Sequence, residues 1–150
     1  MKNDNTSLAA VAYGAGVLTQ SDFAIFQDHG YRGLYAGETA ADIHARKGLK
    51  KGQRILDYMG STELAANWFR ITQAEDKIAR EEIADKQKAT DAHHDMGVAV
   101  RGVILEQGGA PPEQLPTPSE SIARLRAREQ KRLESERNPS LWDEDNAGEG

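Results

Sequence analysis

Cysteine is absent from these 150 residues, which excludes disulfides, cysteine nucleophiles and thiolate metal sites. The absence fits a reducing cytoplasm, the expected location. Long apolar runs are missing too. The mildly apolar stretch Leu8 to Leu18 is interrupted by Gly14 and Gly16, has only Lys2 before it, and carries Asp4 where a secretion signal would be basic. It is a poor signal peptide and too short to span a bilayer, so no membrane partner is expected. Aromatic residues make up 6% of the chain and hydrophobic residues 38%, with a mean hydropathy of −0.69. Such a chain builds one domain with a modest core. The two ends are the expected tails.

Surplus positive charge is also lacking, since the formal net charge is −5. A protein that coats nucleic acid indiscriminately needs a surplus of cations at the contact. The distribution is uneven, however. Arg46, Lys47, Lys50, Lys51 and Arg54 fall within nine positions, opposed locally by Asp42 and Asp57, whereas Asp143, Glu144, Asp145 and Glu149 in the last eight residues face no cation. Local sign therefore carries more information than the total.

In chain order, residues 1–21 are rich in Asn, Ser, Ala and Gly, and read as a flexible leader. Ser21 or Asp22 is expected to cap a short helix through Phe23, Ile25, Phe26 and His29, with Gly30 as its stop and YRGLYAG as a compact turn. Thr39 with Asp42 forms a near capping box for a helix that ends at Gly48. Ser61 or Thr62 is expected to cap a longer helix whose apolar stripe includes Leu64, Trp68, Phe69, Ile71 and Ile78 at a period near 3.6. Trp68 and Phe69 are its expected core anchors. Apolar spacing weakens from Glu81 to Asp91 and returns from Ala92 to Ile104, which predicts a helical hairpin ended by Gly108 and Gly109. Prolines 111, 112, 116 and 118 then favour an extended connector over 110–118. A basic amphipathic helix over 119–137, capped by Ser119 or Ser121, and a disordered acidic tail over 138–150 complete the chain. The predicted fold class is all-α: a small helical domain over 22–109 with an outlying C-terminal basic helix.

The run GYRGLYAGETAADIHARKGLKKGQRILDYMGSTELAANWFRITQ closely resembles the carboxy-terminal half of the DNA-damage-inducible protein D (DinD) family of bacteria. The likeness continues through MGVAVRGVILEQGGAPPEQLPTPSESI and spans roughly Asp22 to Ile122. The family's amino-terminal portion, which resembles the BRO-type module of phage and viral regulators, has no expected counterpart before Asp22. The resemblance implies a setting in the DNA damage (SOS) response and recombination. It brings no catalytic residues with it.

Among individual motifs, Thr39 to Met59 can be read as a helix-turn-helix whose second helix presents Lys50, Lys51 and Arg54 to DNA. Gly48 in the turn and Ile55 facing Ile43 favour that reading. His44 and Gly52 oppose it. On the final helix, Arg124, Arg128 and Arg132, together with Trp68, are candidate contacts for a protein partner, although interleaved glutamates also suit a self-neutralising exposed helix. His93 and His94 point about 100° apart on a helix, so one edging the core is a better role than a shared metal. Glu75 and Lys77 spell a nuclease-like pair but fall on a helix, no Ser-His-Asp pattern emerges, and Gly14-Ala15-Gly16 lacks the strand of a dinucleotide loop.

The expectation is a non-enzymatic regulator of DNA repair or recombination that needs neither metal nor cofactor. Its candidate partners are a recombination or repair protein and single-stranded or duplex DNA. The candidate DNA contacts are Arg46, Lys47, Lys50, Lys51 and Arg54. A DNA-binding transcriptional regulator of the phage antirepressor type is the alternative, and a metal-dependent nuclease a lower one.

Overall fold

Past residue 15, each α-helix begins after a short polar residue or a glycine, namely Thr19, Thr39, Gly60, Asp85 and Ser121, with Gly60 at the place where Ser61 or Thr62 was the expected cap. The computed structural model describes residues 2–137. Within them lie α1 (Lys2–Gly14), α2 (Gln20–Leu34), α3 (Ala40–Arg46), a 3-10 turn (Ile55–Tyr58), α4 (Ser61–Arg80), α5 (Lys86–Glu106), a second 3-10 turn (Pro112–Gln114) and α6 (Ile122–Arg137). No strand occurs among the described residues, in agreement with the all-α expectation. The expected acidic tail lies outside them.

The capping box at Thr39 forms as anticipated: its hydroxyl accepts from Asp42 N at 3.2 Å, and Asp42 accepts from Thr39 N at 3.0 Å. For α2 the cap is Thr19, not Ser21 or Asp22. Its hydroxyl accepts from Asp22 N at 3.0 Å, making Asp22 the third residue of the helix. The hairpin of α4 and α5 is present, turning through Glu82 at φ +51° to the Asp85 cap.

Three expectations need correction. The leader is helical: Leu8, Val11, Ala12 and Ala15 make an apolar stripe of mostly small residues, and α1 packs it against α4 with Leu8, Ala12 and Ala15 buried. Second, α2 does not stop at Gly30. It continues through Gly33 to Leu34 because α5 crosses it at backbone distance, and a Cβ on Gly97 would stand 2.6 Å from the Gly30 carbonyl oxygen. Packing here overrides the helix penalty of glycine. Third, Phe69 is half exposed and Trp68 only partly buried; Asn67 and Arg70 occupy the core-facing positions instead.

The core has two apolar clusters. One joins Leu8, Ala12, Phe26, Ile71, Ile78 and Ala89; the other joins Tyr31, Leu34, Tyr35, Ile43, Met59, Leu64 and Val100. Side chains of α4 and α5 form a polar layer between them. The proline connector is held on the body, because Pro112 is buried and Glu113 takes a two-point ion pair from Arg101 at 2.7 and 2.8 Å. Arg101 also donates to the Leu34 carbonyl at 3.1 Å, tying the end of α2 to the connector. One 3-10 turn interrupts the expected extended course, with Pro112 at its start, where a missing N–H costs nothing.

Candidate functional site

Residues 47–54 contain no helix, so the helix-turn-helix reading fails on geometry: α3 is followed by turns and then by the 3-10 turn. Gly48 at φ +67° and Gly52 at φ +87° are the positions that let the loop reverse. What shapes the loop is hydrogen bonding. The His44 Nε2 lies 3.1 Å from the carbonyl oxygens of both Lys50 and Gln53 and donates to them. Gln53 accepts from Lys50 N at 2.7 Å and donates to the Tyr58 hydroxyl at 2.9 Å.

This pinning divides the basic cluster. Lys50, Lys51 and Arg54 are exposed, and among the described residues none of the three forms an ion pair. Arg46 is drawn to Glu38 at 2.9 Å and over the Tyr35 ring at 5.9 Å. Lys47 is removed from the surface altogether. Its ammonium donates to Glu63 at 2.8 Å, the Tyr58 carbonyl at 3.1 Å and the Thr117 hydroxyl at 3.3 Å, which uses all three of its protons. Lys47 is thus corrected from a DNA contact to a core residue.

Beside the loop opens a cleft of about 870 Å³ between α2, α3 and the 3-10 turn. Tyr31, Ala40, Ile55 and Leu56 line it with apolar surface, while Lys51 and Arg54 stand with Asp57 among its polar lining. Sequence spacing could not reveal it, because Gln27 and Tyr31 come from a helix expected to end at Gly30.

The polar layer was missed as well. From the Lys47–Glu63 pair it runs to the Tyr35 hydroxyl, which donates to Glu63 at 2.5 Å, and to Asn67, which donates to Tyr35 at 2.9 Å. Asn67 in turn accepts from Arg70 at 3.1 Å, and Arg70 lies over the Tyr31 ring at 4.6 Å. Arg70 then donates to His93 Nε2 at 2.5 Å, and His93 Nδ1 donates to the Phe26 carbonyl at 2.9 Å. These two partners fix the neutral tautomer with its proton on Nδ1. Burial, then the Arg70 charge, holds His93 well below the ordinary histidine range. Burial also raises the Tyr35 phenol, with Glu63 adding to the effect, so it stays protonated. The signal was available in outline, since Glu63, Asn67 and Arg70 recur at i, i+4 and i+7 on the apolar face of α4.

On α6 the candidate arginines are exposed. Arg128 pairs with Glu120 at 2.6 Å, and Arg132 pairs with Glu129 and with Glu136, the latter at 3.0 Å. Helical spacing supplies the acids for Arg132, as the sequence suggested, whereas Arg124 enters no ion pair among the described residues. Ser121 accepts from Arg124 N at 3.3 Å, so Ser121 is the cap. Trp68 borders a groove of about 440 Å³ with Met59, Leu64, Pro118 and Leu125, at the base of α6. His94 points away from the core, 3.5 Å from Asp95, and Glu75 and Lys77 lie on α4.

The family model for the DinD C-terminal domain matches residues 1–125. The chain belongs to this family. The match includes α1, so the helix expected to be an unrelated leader is part of the family domain. The chain is also 56% identical over 125 residues to the DNA damage-inducible protein D of Escherichia coli (strain K12), covering 83% of this chain and 46% of that protein. It spans about half the length of the curated relative it matches. No solved structure matches. Among the described residues, no helix of this DinD-family chain is long and apolar enough to cross a membrane.

Proposed function

We propose that this DinD-family chain is a non-enzymatic regulator linked to the DNA damage response, modulating repair or recombination through protein contact and direct contact with DNA. The observation that carries the DNA part is the loop held by His44 and Gln53, which presents Lys50, Lys51 and Arg54, none of them in an ion pair among the described residues, at the edge of an apolar-floored cleft. A setting in DNA damage is what the name of the E. coli relative suggests. The groove at Trp68 and the exposed α6 offer the protein contact.

Without a recognition helix the cations address phosphates rather than base edges, so affinity depends on salt and little on sequence. Fluorescence anisotropy against single-stranded and duplex DNA over a salt series tests this. Three phosphate contacts give a slope of log affinity on log salt of about −2 to −3, and replacing Lys50, Lys51 and Arg54 by Ala flattens it. Binding that survives this triple change removes the loop from the proposal. An antirepressor-type regulator would instead show marked preference for one duplex sequence.

A further inference from the structure

We propose that the cleft beside the basic loop seats an unstacked base of single-stranded DNA, with the neighbouring phosphates on Lys51 and Arg54. This seat rests on the DNA contact proposed above and adds the form of the DNA and the part of it that enters.

Phosphate contact by itself leaves the cleft unused. Exposed cations such as Lys50, Lys51 and Arg54 would meet a sugar-phosphate backbone equally well on a flat surface. Here Lys51 and Arg54 instead share a lining with Tyr31, Ala40, Ile55 and Leu56, around about 870 Å³, a volume typical of small-ligand sites. The occupant of that space brings an apolar face for the floor and negative charge for the rim. In a duplex, stacking covers the base faces, and only the charged backbone is offered. A single strand can turn one base out of its stack while the phosphates on either side stay at the surface, so one nucleotide matches floor and rim together.

The polar lining separates a nucleotide from an acidic peptide. Asp57 borders the cleft from the 3-10 turn, and Gln27 from α2. Among the described residues neither side chain has a hydrogen-bond partner. A peptide carboxylate drawn inside would meet the charge of Asp57. A base is neutral, its N–H groups can donate to the Asp57 carboxylate, and its edge can pair with the Gln27 amide, which both donates and accepts. The charge of the nucleotide stays on the phosphate, outside, where Lys51 and Arg54 stand.

The test is fluorescence anisotropy of the full chain with three labelled ligands of equal length: oligothymidylate, the same sugar-phosphate strand without bases, and a duplex. Oligothymidylate is expected to bind at least about five-fold tighter than the baseless strand, the size of one base contact, with the same dependence on salt. It should also bind tighter than the duplex. Cations alone give the reverse order, because the duplex has the higher charge density. Ala41→Phe, at an exposed position of α3 that lines the cleft, fills the space without changing charge. It should lower oligothymidylate to the affinity of the baseless strand and leave the baseless strand unchanged, which also shows that the loop is intact. Salt-dependent binding that is equal with and without bases keeps the DNA contact and overturns the seat. A preference for bases that survives Ala41→Phe places the base outside this cleft and overturns it too. No salt-dependent binding of any of the three ligands removes the DNA contact itself, and the seat with it.

Discussion

Lys47 and Glu63 form an ion pair at 2.8 Å with both side chains wholly excluded from solvent. In the sequence Lys47 is one more cation of a basic cluster, yet its ammonium joins the loop after α3 to the start of α4 and, through Thr117, to the proline connector. Removing one partner of such a pair strands the other as a buried charge, at a cost of about 3–5 kcal/mol. Lys47→Ala is therefore expected to lower the urea midpoint sharply. Lys50→Ala and Lys51→Ala, at exposed positions, should stay within about 0.5 kcal/mol of the parent. Equal effects at the three positions would contradict the buried pair.

The crossing of α2 and α5 makes a second prediction. A methyl group on Gly97 would meet the Gly30 carbonyl at 2.6 Å and Leu34 N at 2.8 Å, backbone atoms that move only if the helices separate. Gly97→Ala should cost about 1–3 kcal/mol or more, as overpacking does. Gly102→Ala, five residues further along the same helix and with nothing within 4 Å of the added carbon, should be neutral or stabilising by up to about 1 kcal/mol. Thermal denaturation followed by circular dichroism separates the two.

These sites mark where the sequence was legible and where it was not. The helix after Thr39, the α4–α5 hairpin, the Thr39 and Ser121 caps and the exposed α6 follow from periodicity and short-range hydrogen bonding, which a sequence displays directly. The α1 helix escaped notice because its buried stripe is mostly alanine, and α2 seemed to end at Gly30 because a glycine demanded by a neighbouring helix looks the same as one that ends a helix. Phe69 does not hold its expected core place and Arg70 is buried next to it, because an arginine can be buried when an aromatic face, an amide and an imidazole surround it. At the candidate site, Lys50, Lys51 and Arg54 were readable as an exposed group. The cleft beside them depends on the longer α2 and was not.

Phe69 supplies a third test. At 50% exposure it contributes little to the core, so Phe69→Ser is expected to shift stability by no more than about 0.5 kcal/mol. Arg70→Ala, by contrast, takes the donor from two buried acceptors, Asn67 Oδ1 and His93 Nε2, at about 1–3 kcal/mol for each stranded atom. Urea denaturation of the two variants should rank them in that order.

The last prediction concerns pH. His93 is neutral in the folded chain: its Nε2 accepts from Arg70, its ring lies against Phe26, and His29 is a further source of positive potential. A proton on Nε2 would set an N–H against the guanidinium, so the folded-state pKa falls well below the unfolded value of 6.5. The unfolded chain therefore takes up the proton first. The contribution of His93 is complete above about pH 6.5 and is lost as pH falls below it, with a slope of about 1.4 kcal/mol per pH unit until the folded-state pKa is reached. Urea midpoints measured between pH 7.5 and pH 5 should decline along that course, and His93→Gln, whose side chain does not titrate, should remove this part of the decline while leaving the carboxylate contribution at lower pH. A His93 imidazole that titrates near 6.5 by NMR in the folded protein would show that Arg70 does not hold it neutral.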